Sequence, residues 1–192
     1  MKGQNGIGDT WTWIAIDADS KLIPSWHVGK RDASDAYWFI HDLKDRLASR
    51  VQLTSDGHRP YLEAVESAFG SDIDYSMLVK LYGHEPTQEA RYSPPKCIGA
   101  RRRRIIGKPD RNLISTSYVE RQNLTLRMQN RRFTRLTNAF SKKLENHKHM
   151  LAIHFMHYNF CRIHQTLRVT PAMEAGIAKH VWALEEIMGL IE

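Results

Sequence analysis

Residues 50–69 read RVQLTSDGHRPYLEAVESAF, and the two halves of this stretch obey different rules. Residues 50–55 (RVQLTS) are a short run closed by Asp56-Gly57, a turn pair, which predicts a short buried-type strand. Arg59-Pro60 then opens a helix over 61–69, because proline's fixed φ and missing N–H suit a first helical turn. A strand that hands over directly to a helix predicts an α/β fold. Asp56 stands at the carboxyl end of that strand, where open α/β sheets bind their ligands.

The residues before this unit extend the same pattern. WTWIAIDA (11–18) sets Trp11, Trp13 and Ala15 against Thr12, Ile14 and Ile16, the alternation of a strand. DADSK (17–21) has turn chemistry, and LIPSWHV (22–28) reads as the returning strand of a hairpin, with Pro24 at its start or on an edge. Asp32 or Ser34 then caps a helix to about residue 49, with Ala36, Tyr37, Ile40, Leu43 and Leu47 as its apolar stripe. Residues 1–8 are glycine-rich and unpatterned and read as a disordered lead.

Beyond residue 69, residues 74–81 hold a further short strand. Residues 83–117, with four prolines and the run Arg101, Arg102, Arg103, Arg104, are expected to form a long basic loop. SYVERQNLTLRMQNRRFTRLTNAFSK (117–142) predicts a helix with one acid, Glu120, amid arginines. On that helix Glu120, Asn123 and Arg127 fall at i, i+3 and i+7 and share a face. A long helical segment over 141–160, an irregular stretch over 162–177 and an amphipathic helix over 179–187 complete the chain. The expected division is an α/β domain over 9–140 with a helical segment, 141–192, packed on it.

Composition narrows the function. A chain of 192 residues and 22.3 kDa suffices for one sizeable core. No apolar run approaches a membrane span, the N-terminus lacks the apolar region of a signal peptide, and two cysteines, Cys97 and Cys161, give no disulfide framework. The cysteine usage fits a reducing cytoplasm, which is the expected location. The net charge is +7, yet residues 96–143 hold 14 Lys and Arg against the two acids Asp110 and Glu120, which leaves a net −5 elsewhere. Charge segregated in this way is the footprint of a phosphate-binding surface. Arg101 to Arg104 read as a phosphate clamp within it, joined by Arg121, Arg127, Arg131, Arg132 and Arg135.

Two carboxylates arriving from different elements, Asp56 and Glu120, suit Mg²⁺, or Mn²⁺ in its place, since such ions prefer oxygen ligands and keep positions open for substrate phosphates. A pair of such ions stabilises the attacking and leaving oxygens of an in-line phosphoryl displacement. Sites of this kind need a third carboxylate.

Three segments carry a resemblance. TSDGHRPY (54–61), SYVERQNLTLR…RRFTRLTNAFSKK (117–143) and HYNFCRIHQTLRVTPAM (157–173) together resemble a DDE transposase of the insertion sequence 1 family, over most of the chain from about Asp9 onward. The resemblance implies an RNase H-like fold with a mixed sheet and C-terminal helices. It implies three carboxylates and divalent metal that cut DNA strands and join them to a target, with double-stranded DNA as partner and a homo-oligomer when full length. By position Asp56 matches the second acid and Glu120 the third, with Asn123 and Arg127 as helix-face partners.

The first acid of that family lies on a strand ahead of the hairpin. The expectation is therefore an N-terminally truncated domain that lacks the first, central strand and is inactive alone. Asp17 is the local substitute for the missing acid, ahead of Asp19, but its DADSK setting reads as a turn. Two alternatives accompany the transposase reading: a DNA-binding fragment that interferes with an intact transposase, and a metal-dependent nuclease using Asp17. His154, His157, Cys161 and His164 form a row along one helix face. Four ligands in one row cannot surround a tetrahedral ion, so no zinc is expected. Asn159, Arg162, His164 and Thr166 are expected to close the fold.

Overall fold

The structure is a computed structural model that describes residues 9–83, 96–134, 138–139 and 141–190. It is a mixed α/β protein with a two-stranded hairpin, a three-stranded mixed sheet and several helices. Two compact units divide the chain elsewhere than at residue 140: one is Arg31–Ser117, and the other joins Met1–Lys30 to Tyr118–Glu192.

In the discontinuous unit, β1 (Trp11–Ile14) pairs antiparallel with β2 (Trp26–Gly29), in a register running from Trp11 opposite Gly29 to Ile14 opposite Trp26. The pairing continues irregularly past both strands, with Ala15 N–H donating to the Ser25 carbonyl and Asp17 N–H to that of Leu22. Pro24, which has no N–H to give, lies within this irregular part, so β2 starts later than its sequence suggests. Trp13 and Ile14 are both buried although they face opposite ways, which erases the simple alternation expected of a half-buried strand.

Ile14, Ile23 and Val28 share a core with Leu126 of α3 (Ser117–Gln129), Leu151 and Phe155 of α4 (Leu144–Met156), and Tyr158. The Trp26 and Phe155 rings pack at 5.5 Å between centroids. Each fully buried apolar side chain of this size contributes roughly 1.5–3 kcal/mol. α4 does not run on as a regular helix. Residues His157–Cys161 are wound as a π-turn, and α5 (Pro171–Glu174) and α6 (Leu184–Met188) follow as short helices, α6 shorter than the expected 179–187.

In the continuous unit, Asp32 caps α1 (Ala33–Asp45) by accepting the Asp35 N–H at 3.0 Å. The buried side chains of α1 are Ala36, Phe39, Ile40 and Leu43, whereas Tyr37 is exposed. Ala36, Ile40 and Leu43 are thus buried as expected, Phe39 takes the place of Tyr37, and Leu47 lies beyond the helix end. β3 (Gln52–Ser55) is half-buried throughout rather than buried. It runs parallel to β4 (Asp74–Gly83), the connection being α2 (Pro60–Phe69).

The stretch expected to be a loop contains the largest surprise. β5 (Lys96–Ile106) is an eleven-residue strand antiparallel to β4, and it carries Arg101 to Arg104. The sheet order is β3-β4-β5. Four successive exposed arginines offer no alternation to read, so the partner strand, not a local pattern, defines this element.

Candidate nucleic-acid site

Asp56 follows β3 directly, at the carboxyl end expected of it. One of its oxygens accepts the His58 N–H at 3.0 Å, which fixes the turn that Gly57 completes. The other lies 3.8 Å from the Arg31 guanidinium, an exposed pair at long range. Such a pair adds little to stability but holds a cation next to the acid. Gly57 packs against Val79 so closely that a Cβ there would come within 3.1 Å of its side chain.

Around Asp56 stand groups that the sequence reading did not single out. Ser55 shares a hydrogen bond with the Tyr75 hydroxyl at 2.7 Å and donates to the Asp56 carbonyl at 2.9 Å. Burial, with the Asp56 charge, pushes the Tyr75 hydroxyl up to about 12 against the opposing Ser55 hydrogen bond. Tyr61 is likewise raised, first by burial and then by Asp56. His58 is lowered by burial and by Arg31. Both phenols therefore stay protonated and offer hydroxyl groups beside a carboxylate. His58 and Tyr61 are visible in the TSDGHRPY motif; Arg31 and Tyr75 come from remote parts of the chain and leave no local signal.

Asp17 sits in the connection between β1 and β2. Its carboxylate accepts both the backbone N–H and the hydroxyl of Ser20. Burial raises its pKa, but these bonds and the Lys21 charge hold it below the usual carboxylate range. Both bonds go to the same oxygen, Oδ2, which is thus engaged in holding the turn. Lys21 lies over the Tyr118 ring at 4.3 Å, which brings this connection to the first turn of α3.

Glu120 is in that first turn, where a carboxylate is favoured by the helix dipole. It is exposed, as are Arg121 and Arg127, while Asn123 is half-buried. The inward face of α3 is Gln122 and Leu126, so the face expected from the Glu120–Asn123–Arg127 spacing is the outer one. Arg131 and Arg132 are exposed in a short 3₁₀ turn (Arg131–Phe133) capped by Asn130. Arg132 is partly committed already: its guanidinium donates to the Ser141 hydroxyl and the Asn146 carbonyl. Arg135 lies outside the described residues.

The structure brings Asp17 and Glu120 into one compact unit and Asp56 and Arg101 to Arg104 into the other. Among the described residues no group of three or more His, Cys, Asp or Glu side chains is placed to hold a metal ion. Within the unit Arg31–Ser117, the charged group placed next to Asp56 is the Arg31 guanidinium.

The histidine row is broken by the π-turn. His157 is exposed, His154 and His164 each bury one ring nitrogen without a hydrogen-bond partner among the described residues, and His164 lies beyond the helix end. Asn159 is buried and bonds the backbone of Ile23 on both sides.

No protein-family model, no curated protein and no solved structure matches the chain. Among the described residues no helix is long and apolar enough to cross a membrane.

Proposed function

We propose that this chain acts in DNA transposition as a DDE-type, RNase H-like domain, and that its own contribution is to bind double-stranded DNA. The observation that carries the reading is the concentration of exposed arginines on β5, in the same unit in which Asp56 closes β3. An acid at the end of one strand and a cationic strand in the same sheet, with β4 between them, suit a phosphodiester backbone: arginines neutralise phosphates and release counterions. The second basic element, α3, sets Glu120 among Arg121 and Arg127.

The order of elements also favours an RNase H-like scheme. A hairpin, a helix, a strand ending in Asp56, a second helix and a parallel strand precede the helix that bears Glu120. In that scheme a first, central strand would carry the first acid. Within this chain the acids Asp56 and Glu120 would be the residues that serve Mg²⁺ or Mn²⁺, and Asp17 is the weakest candidate because Ser20 occupies its carboxylate.

The purified chain is expected to bind duplex DNA in a salt-dependent way that survives Glu120→Gln and Asp56→Asn, and to show no strand cleavage with Mg²⁺. Cleavage lost on Asp17→Ala would instead favour the nuclease reading. The absence of DNA binding at low salt would remove the proposal altogether.

A further inference from the structure

The pairing of β4 with β5 outruns β3. β3 reaches only residues 74–77 of β4, whereas β5 follows β4 from Tyr75 to Gly83. From Leu78 onward the sheet is therefore a two-stranded ribbon. Its base is tied down by ionic and backbone contacts. Arg50 donates to both carboxylate oxygens of Asp74 at 3.1 and 2.9 Å, the Lys108 N–H donates to the same carboxylate at 2.6 Å, and Arg104 donates to the Gly107 carbonyl at 2.6 Å.

The next three arginines have no such role. Arg101, Arg102 and Arg103 are exposed, and among the described residues no partner engages their guanidinium groups. Arg102 and Arg101 stand opposite Leu78 and Val79 in the two-stranded part, and Arg103 stands opposite Met77, the last residue that β3 also pairs; because successive side chains of a strand point to opposite faces, Arg101 and Arg103 share one face and Arg102 takes the other. A flat anionic surface would meet only one of these faces and leave the other charge unneutralised. An element inserted between two anionic walls meets both.

We propose that the β4–β5 ribbon enters the major groove of duplex DNA with the β5 edge leading, Arg101 and Arg103 meeting one sugar-phosphate backbone and Arg102 the other. A pleated sheet with its side chains occupies roughly 10 Å, which suits a major groove about 12 Å wide and not a minor groove of about 6 Å. Among the described residues β5 is an outer strand of its sheet and no further strand pairs with it, so its second edge can lead. This placement rests on the reading of the chain as a duplex-DNA binder, and it adds which element binds and how.

The test is fluorescence anisotropy of the full chain on a duplex of about 30 base pairs, titrated with salt. Each of Arg101→Gln, Arg102→Gln and Arg103→Gln is expected to lower the slope of log affinity against log salt by about 0.9, the value for one lost phosphate contact. Arg102→Lys should keep the slope, which separates lost charge from lost structure. An unchanged slope for Arg102→Gln, with lower slopes for the other two, would mean that only one face touches DNA and would overturn the insertion while leaving DNA binding in place. Neutral behaviour of all three variants in a chain that still binds duplex would overturn the ribbon as the contact. Tighter binding of a single-stranded RNA of equal length would overturn the groove. A wild-type chain that binds no duplex would fail the earlier reading as well.

Discussion

The side-chain amide of Asn159 pairs with both backbone groups of Ile23: Asn159 Nδ2 donates to the Ile23 carbonyl at 2.9 Å, and the Ile23 N–H donates to Asn159 Oδ1 at 3.0 Å. Ile23 lies in the irregular connection between β1 and β2, where the ladder of the hairpin does not supply partners for its backbone. Residue 159, in the π-turn after α4, supplies them instead. The wider winding of that turn, with Tyr158 also buried, carries Asn159 inward. One amide thus closes this unit across 136 positions of sequence.

Replacing Asn159 by alanine should leave two buried backbone groups without partners. Each such group costs about 1–3 kcal/mol, so a loss of roughly 2–6 kcal/mol is expected in urea denaturation. Asn159→Asp should be worse than alanine at neutral pH, because it buries a charge against the Ile23 carbonyl. It should recover as the pH falls and the introduced carboxyl gains the proton it needs to donate. Equal stability of the two variants at every pH would contradict this role.

Gly107 and Gly70 both hold positive φ, 65° and 53°, but only one of them is crowded. A Cβ on Gly107 would come within 2.7 Å of the Ile73 carbonyl and would strike the Asp74 carboxylate, whereas nothing lies within 4 Å of one on Gly70. Gly70, at φ 53° and ψ −120°, lies outside the left-handed helical well, so Gly70→Ala should cost only the backbone strain of a conformation that L residues rarely adopt, about 1–3 kcal/mol. Gly107→Ala should cost more than that and also loosen the ribbon base where Arg50, Asp74 and Lys108 meet. Thermal melts of the two variants compare the terms directly.

His154 is lowered first by burial and then by the charges of His157 and Arg162, and His164 is lowered by burial, Lys21 and Arg162. A histidine whose folded pKa lies below its unfolded value binds fewer protons when folded. Stability is then fully present above the unfolded pKa, near 6.5, and declines as pH falls below it. The chain should melt at a lower temperature at pH 5 than at pH 7.5, and His154→Phe should flatten part of that slope. An unchanged slope in His154→Phe would assign the effect to other groups.

Asp74 behaves in the opposite sense and at lower pH. The Arg50 hydrogen bonds and the Lys108 N–H hold its carboxyl down to about 2. Its contribution is present above the unfolded value, near 3.9, and is lost as pH falls toward about 2. Asp74→Asn should reduce stability at pH 6 and narrow its gap to the wild type on acidification, as followed by urea denaturation at each pH.

Local signals account for the parts of the fold that were legible in the sequence. Pro60 after Asp56-Gly57 announced α2, the Asp32 cap announced α1, and DADSK announced the turn that holds Asp17. β5 was not legible because most of its residues are exposed, so no alternation marks a strand, and its pairing with β4 leaves no signal in its own residues. The prolines near it point to a loop, and a run of arginines specifies charge without geometry. The environment of Asp56 shows the same limit: His58 and Tyr61 follow it in sequence, while Arg31 and Tyr75 reach it only through the fold. The π-turn was also hidden, since nothing in HYNFC marks the change of winding that separates His154 from Cys161.

The most direct test of the central claim is the affinity of the whole chain for duplex DNA across a salt series. If six or more phosphates are contacted, affinity should fall by about 10³-fold or more between roughly 50 and 200 mM salt. The loss should be the same for Asp56→Asn and Glu120→Gln as for the wild type, since neither acid supplies a phosphate contact. Binding that is absent at low salt, or present and indifferent to salt, would contradict the account.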